Sequence, residues 1–223
     1  PSVLHYYLLN YPHASIATAA WPRNMTLFEY IAIAFSLVLS FAIVRCVTGL
    51  PYALAKGHYW THVIWICATL GTCLLEFWTF WFSRDVSWTF GQFLLVLANP
   101  AMLNVFALIL LPEHMETIDS WEQHYYSVRK KLFTAGIVWT ILLVVTTTVV
   151  QNMPLISLAR SYQFIMLSVF MIGYFSKNRL VHRVIAIIPL LILIPLMAMP
   201  ADVETFRSEV RAAFEQDHSL SGE

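Results

Sequence analysis

The sequence predicts an all-α integral membrane protein, a bundle of six transmembrane helices with an amphipathic surface helix and a C-terminal amphipathic tail. The 223 residues are 59% hydrophobic and only 12% charged, whereas soluble domains carry about 25% charged residues. A helix needs about 20 apolar residues to cross the hydrocarbon core of a bilayer. Stretches near that length lie at 27–49, 59–83, 89–111, 132–150, 155–176 and 180–199.

Charge and cysteine usage exclude several classes of protein. Lys+Arg and Asp+Glu both number 13, so the chain has no basic face for nucleic acid. The three cysteines, Cys46, Cys67 and Cys73, lie in or at the ends of apolar stretches and form no CxxC pair. We expect them to be free thiols that pack as small apolar side chains.

The first half of the chain divides at clear helix signals. Residues 1–26 are rich in Tyr and resemble an interfacial segment. A capping box, Thr26 with Glu29, predicts the start of the first helix, and Gly49-Leu50-Pro51 predicts its end. The third stretch contains Asn99-Pro100, where we expect a kink because proline removes a backbone donor.

The second half contains the only long polar connection between spans. Apolar residues recur at helical spacing across 113–131, which predicts an amphipathic helix that lies on the membrane surface or runs straight into the fourth span. A break at 151–154 separates the fourth and fifth stretches, and residues 200–223 form an amphipathic tail. The domains expected are thus 1–26, 27–199 and 200–223.

The distribution of positive charge predicts the orientation. Eight of the 13 Lys and Arg residues lie at the ends of spans one, three and five, and five lie on the opposite side. Cytoplasmic loops carry an excess of these residues. We therefore expect both termini to be non-cytoplasmic.

Ionisable and polar residues within the spans are candidates for a site, because buried charge in a membrane is costly. Glu76 and Arg160 are expected to form an outward-facing ion pair or solute contact, with Arg84 as the competing partner. Glu29 lies on the same side. At middle depth Asn99 and Gln163 could line a narrow path or form interhelical hydrogen bonds.

Four histidines are expected on the opposite, cytoplasmic side of the membrane. They are His58, His62, His124 and His182. Imidazoles in such a cluster could carry protons or bind an unknown metal, or simply suit the membrane interface. Beside them Arg45, Tyr125, Tyr126 and Arg129 are predicted to contact lipid headgroups or a partner. No His-box or HExxH motif occurs, which argues against a metallohydrolase or a membrane desaturase. No lysine lies within a predicted span, which argues against a retinal protein.

Three motifs together resemble a group of small bacterial multi-pass membrane proteins with no assigned activity. They are YWTHVIW at 59–65, WTF at 88–90 with FLL at 93–95, and HYY at 124–126 followed by Arg129. The resemblance covers most of residues 27–199. It implies a bacterial inner-membrane protein and brings no cofactor or substrate.

Three functions follow as hypotheses. The first is a small channel or transporter for a small solute or ion. The second is a non-catalytic membrane subunit that senses or scaffolds within a larger complex, and either could be a homo-oligomer in the lipid bilayer. The third is a histidine-dependent metalloprotein, although no cofactor is expected from a motif. Catalytic residues are not predicted.

Overall fold

Six α-helices make up most of the chain in a computed structural model that describes residues 25–55, 57–157 and 160–197. The predicted interfacial segment, apart from its last two residues, and the predicted tail lie outside the described residues. Single 3₁₀ turns follow two of the helices, at Trp81–Ser83 and Met115–Thr117. The helices are α1 Leu27–Leu54, α2 Trp60–Phe80, α3 Phe90–Leu110, α4 Trp121–Val149, α5 Ser161–Phe175 and α6 Arg179–Met197.

Five of these helices are long and apolar enough to cross a membrane, so the prediction of six spans is supported only in part. The exception is α5, whose 15 residues rise only about 22 Å against a hydrocarbon core of about 30 Å. It begins at Ser161 rather than near 155. Pro154 cannot continue a helix, and Asn152 has a left-handed backbone with φ of 53°.

The first helix begins as predicted and ends later than predicted. Glu29 N donates to Thr26 Oγ1 at 3.2 Å, and Thr26 N donates to Glu29 Oε2 at 2.7 Å, so the capping box is confirmed. The predicted end at Gly49-Leu50-Pro51 is wrong, because α1 continues through Leu54. The last turn is held from outside by Trp121, whose Nε1 donates to Tyr52 O at 2.9 Å.

The predicted surface helix at 113–131 is not a separate element. Residues from Trp121 onward form the first turns of α4, which continues unbroken to Val149. Tyr125, Arg129 and Leu132 are all buried, and their spacing places them on one helix face. The polar start and the apolar rest of α4 therefore share a single buried face. Of the two alternatives for residues 113–131, this agrees with a helix that continues directly into the fourth span.

The helices form a closed ring. In order around it, α1 packs on α3, α3 on α4, α4 on α5, α5 on α6, α6 on α2, and α2 on α1. A further contact joins α2 to α3 across the ring. Four of these six pairs are consecutive in sequence, whereas α1 with α3 and α6 with α2 are not. The two non-consecutive pairs bring distant parts of the chain together.

The outer surface of the bundle is apolar, as contact with a lipid bilayer requires. Along α1, for example, the residues Ile33, Leu37, Phe41 and Val44 are each more than half exposed. They repeat every three or four positions, so they form one stripe. The opposite stripe of α1 is buried in the ring. The described fold is thus that of a multi-pass helical membrane protein.

Candidate functional site

A cavity of about 260 Å³ lies inside the ring, at the end of the bundle where α1 begins and α2 ends. All six helices contribute to its wall, from Phe35 on α1 to Leu196 on α6. Its deepest polar residue is Asn99, about 14 Å of helical rise from the start of α3. Since a hydrocarbon core is about 30 Å thick, the cavity extends from one face of the bundle to near its middle.

Two helices face the cavity with stripes of residues at helical spacing. The lining positions of α2 include Thr72, Leu75, Glu76 and Thr79, and those of α4 include Trp139, Leu143, Thr146 and Thr147. Positions three and four apart lie on one side of a helix. The wall is mainly apolar and aromatic, with a few polar groups that converge on one volume, as in many small-molecule sites.

Glu76 is the only acidic or basic residue in the described lining of this cavity. It is half-buried, one turn before the end of α2. Its carboxylate forms no salt bridge with any residue in the described part of the chain, where the salt bridges are Arg84–Asp85, His114–Glu116 and Arg179–Glu122. An acidic side chain within a span and without a partner is a functional candidate.

Asn99 joins α3 to α4 below Glu76. Its amide nitrogen Nδ2 donates to Leu95 O at 3.0 Å and to Thr146 Oγ1 at 2.9 Å. The side-chain oxygen Oδ1 is buried and has no hydrogen-bond partner. An acceptor left unpaired in a buried position costs about 1–3 kcal/mol, so this enclosed oxygen lowers the stability of the wall at the position where Asn99 lines the cavity.

The predicted ion pair between Glu76 and Arg160 does not form. Arg160 is fully buried, and its guanidinium instead binds carbonyl and hydroxyl oxygens of the last turns of α4 and of the connection to α5. All three of its nitrogens donate. The acceptors are Pro154 O, Met153 O, Val144 O, Thr147 Oγ1, Thr148 Oγ1 and Gln163 Oε1, at 2.5 to 3.2 Å.

This arrangement satisfies a buried charge without a carboxylate. A guanidinium has five N–H donors in a planar fork, which suits several fixed acceptors at once. Carbonyls at the end of α4 also carry the negative end of the helix dipole. Arg160 therefore acts as a structural tie between α4, residues 153–154 and α5.

Gln163 belongs to the same tie and to a second, smaller cavity. Its Nε2 donates to Tyr162 Oη at 3.1 Å, and its side chain lines a cavity of about 50 Å³. The two cavities share lining residues, among them Leu143, Trp139 and Tyr162. Asn99 and Gln163, both expected at middle depth, thus line adjacent cavities.

Glu29 and Arg84 lie at the same end of the bundle but outside the cavity wall. Glu29 is exposed and is used in the capping box. Arg84 pairs with its neighbour Asp85 at 3.4 Å and stacks on the Trp81 ring at 5.1 Å. Arg84, the competing partner that the sequence suggested, forms no salt bridge with Glu76.

The opposite end of the ring is filled by aromatic and imidazole side chains, which we call the tyrosine–histidine cluster. Tyr125 Oη lies 3.0 Å from His182 Nδ1, and His182 Nε2 lies 3.1 Å from Ser176 O. His124 Nε2 lies 3.2 Å from Leu110 O. The cluster consists of Tyr59, His62, Trp121, His124, Tyr125, Tyr126 and His182.

Three of the four predicted histidines belong to this cluster, and His58 lies outside it. His62 is fully buried, stacks on Trp121 with 4.9 Å between ring centroids, and has no partner for either ring nitrogen. His58 is exposed and packs edge-on against Trp60. Residues 25–55, 57–157 and 160–197 contain no group of three or more His, Cys, Asp or Glu placed to hold a metal ion.

Two of the residues predicted to contact headgroups or a partner lie inside the bundle. Tyr125 and Arg129 are buried inside the bundle, where Arg129 Nη1 donates to Ser176 O. Tyr126 is half-buried, and its hydroxyl lies 3.2 Å from that of Tyr59. Arg45, also half-buried, donates through Nε to Leu111 O at 2.9 Å and so caps the end of α3.

Sequence reasoning missed several residues that shape the cavity. Trp139, Thr146 and Tyr162 all line it, although none was predicted as a site residue. A signal was present for two of them, since Trp139 and Thr146 lie on the face of α4 that also carries Leu132. Helical periodicity identifies such a face but does not tell whether it meets a packed core or a void.

The fold and the cavity define a multi-pass helical membrane protein with one carboxylate in a central, mainly apolar cavity. Comparisons of the chain with protein-family models, with curated proteins and with solved structures found no match. Functional inference therefore depends on the chemistry of the cavity and of the tyrosine–histidine cluster.

Proposed function

We propose that the protein is a small membrane transporter that binds a small solute in the central cavity. The position of the cavity supports this proposal most directly. It opens at one end of the ring, reaches about half-depth, and is lined by all six helices. Binding sites of many transporters lie near the middle of the bilayer, where several helices meet.

The packed end favours a carrier over an open channel. A channel needs a continuous path, whereas the tyrosine–histidine cluster fills the ring beyond the cavity with buried side chains. Tyr125, His62 and His182 are each 0% exposed. Access from that side thus requires the helices to separate there, which is the motion of an alternating-access cycle.

Cysteine accessibility tests the cycle without knowledge of the substrate. The natural cysteines are first replaced by alanine, and Leu143→Cys then places one thiol in the cavity wall. A membrane-impermeant maleimide is added to sealed vesicles of each orientation. We expect modification from both faces, and faster modification from the face at which the cavity opens, because a transporter exposes its binding site to each side in turn.

A matched control places a thiol on the outer surface of the same helix. Ile141 is 52% exposed on the apolar outside of α4, where lipid surrounds it, so we expect no modification of Ile141→Cys by the impermeant reagent from either face. Modification of Leu143→Cys from one face alone, or from neither, contradicts transport. Either result would favour the second candidate.

That second candidate is a non-catalytic membrane subunit, and one observation favours it. The packed end is tied by hydrogen bonds between α1 and α4, α4 and α6, and α1 and α3, and by the Arg179–Glu122 salt bridge at 3.2 Å. A rigid end of this kind suits a scaffold. The labelling result above separates the two functions.

A further inference from the structure

The lining of the central cavity points to a class of substrate. We propose that the cavity binds a small organic cation with an apolar or aromatic body, an inference that depends on the proposed transport function. The carboxylate of Glu76 and the aromatic wall are the groups that would recognise it.

Charge is the first argument. Glu76 supplies the only formal charge on the described cavity wall, and no described cation neutralises it in a salt bridge. In a low-dielectric site an opposite charge on the ligand is attracted much more strongly than in water. A cationic group is therefore favoured beside Glu76, and an anionic group is repelled.

Arg160 does not reverse this preference. It is absent from the lining, and all three of its guanidinium nitrogens donate to oxygens of the protein. An anionic ligand would find no free donor on it. The negative end of the α4 dipole also offsets its charge.

Hydrogen-bonding capacity is the second argument. Three of the cavity threonines, Thr72, Thr79 and Thr147, donate their hydroxyl hydrogens to carbonyls of their own helices at 2.8, 3.4 and 2.9 Å. The Glu76 carboxylate is an acceptor in the cavity wall. Asn99 Oδ1 and Trp139 Nε1 are an unpaired acceptor and an unpaired donor, but both atoms are enclosed by the protein. The accessible polar groups thus favour a ligand that donates or is positively charged.

The aromatic wall is the third argument. Cations are attracted to the faces of Trp, Tyr and Phe within about 6 Å of the ring centre, and the same rings pack against an apolar body. A volume of about 260 Å³ limits the ligand to a small molecule. The aromatic residues of the lining are Phe35, Trp78, Phe80, Phe82, Trp139 and Tyr162.

Binding to purified full-length protein in detergent tests the proposal, with benzyltrimethylammonium as the probe. This cation is permanently charged, so its charge does not depend on pH. Calorimetry at mildly alkaline pH compares it with neopentylbenzene, its neutral isostere, and with benzoate. We expect the cation to bind at least about tenfold more tightly than either, since tenfold corresponds to only about 1.4 kcal/mol.

Three variants locate the site. Glu76→Gln should weaken binding of the cation at least about tenfold, whereas Glu76→Asp should restore most of it because the charge is kept. Asp85→Asn removes an exposed carboxylate at the same end of the bundle, outside the cavity wall, and should leave binding unchanged. Equal elution profiles in size-exclusion chromatography show that the variants are folded.

Two outcomes overturn the proposal. One is equal affinity for the neutral isostere or for benzoate, and the other is unchanged binding in Glu76→Gln. If Leu143→Cys is nevertheless modified from both faces, the substrate class alone is wrong and transport stands. If that thiol is modified from one face only while the cation binds as expected, the cavity is a binding site in a protein that does not transport.

Discussion

His62 and His182 lie in the same cluster and are equally buried, yet only the ring nitrogens of His182 have hydrogen-bond partners. Both nitrogens of His182 lie within hydrogen-bond distance of partners, Tyr125 Oη and Ser176 O. Neither nitrogen of His62 has one. A buried polar group without a partner lowers stability, so its removal should be stabilising. Removal of one partner from a formed hydrogen bond is destabilising, because it leaves the other partner unsatisfied.

Replacement of each histidine by phenylalanine should therefore have opposite effects. His62→Phe keeps a flat ring against Trp121 and removes two unpaired nitrogens, so we expect the free energy of unfolding to rise by about 1 kcal/mol. His182→Phe strands Tyr125 Oη and Ser176 O and should lower it by about 1–3 kcal/mol. Thermal unfolding in detergent measures both. Destabilisation by His62→Phe as large as that by His182→Phe would indicate that His62 holds a ligand or proton needed by the fold.

At the scale of elements, α4 and α5 approach closely through two reciprocal contacts of glycine with phenylalanine. A Cβ added at Gly136 would lie 2.4 Å from the ring of Phe170, and one added at Gly173 would lie 2.3 Å from the ring of Phe133. Small residues at helix interfaces let backbones approach in membranes. The chain has no GxxxG motif, so the usual sequence signal for such packing is absent.

The glycines of this interface can be tested against a glycine with open surroundings. Gly136→Ala and Gly173→Ala should each lower the free energy of unfolding by about 1–3 kcal/mol, because the ring and the new methyl group overlap. Gly91→Ala meets no atom within 4 Å and should leave stability unchanged or raise it by up to about 1 kcal/mol. Thermal unfolding of the three variants checks this, and equal effects would mean that α4 and α5 are not packed as described.

For the whole molecule, the short α5 decides which loops share a face. Asp85 precedes α3, and Lys177 follows α5, so the number of crossings between them is three if α5 crosses and two if it does not. In the structure Ser176 meets Arg129 and His182 at the packed end, whereas Asp85 lies at the end where the cavity opens. We therefore expect them on opposite faces of the membrane.

Single cysteines test both the crossing and the orientation. In the background without natural cysteines, Asp85→Cys should react with an impermeant maleimide added to intact bacterial cells that express the protein, and Lys177→Cys should react only after the membrane is opened. Both positions are exposed. The expectation for Lys177 follows from the excess of Lys and Arg at that end. Reaction of both positions in intact cells would show that α5 does not cross.

Local signals in the sequence predicted much of this fold, and contacts between helices account for what they did not predict. Thr26 and Glu29 specify their capping box within four residues, so it was predictable. Arg160 was assigned to Glu76 because opposite charges attract, but carbonyls of an irregular segment bind it instead. The positions of such carbonyls depend on backbone conformation, such as the positive φ of Asn152, which composition does not reveal. Tyr125 and Arg129 were likewise placed at the surface because they are polar, although their helix face is buried.

The Arg160 tie also bears on biogenesis. An arginine at the start of a helix as short as α5 makes its insertion alone unfavourable, since the charge would enter lipid without acceptors. Its acceptors come from the end of α4 and the turn between the two helices. We therefore expect the two helices to enter the membrane together as one hairpin, so that the guanidinium meets its acceptors at the bend.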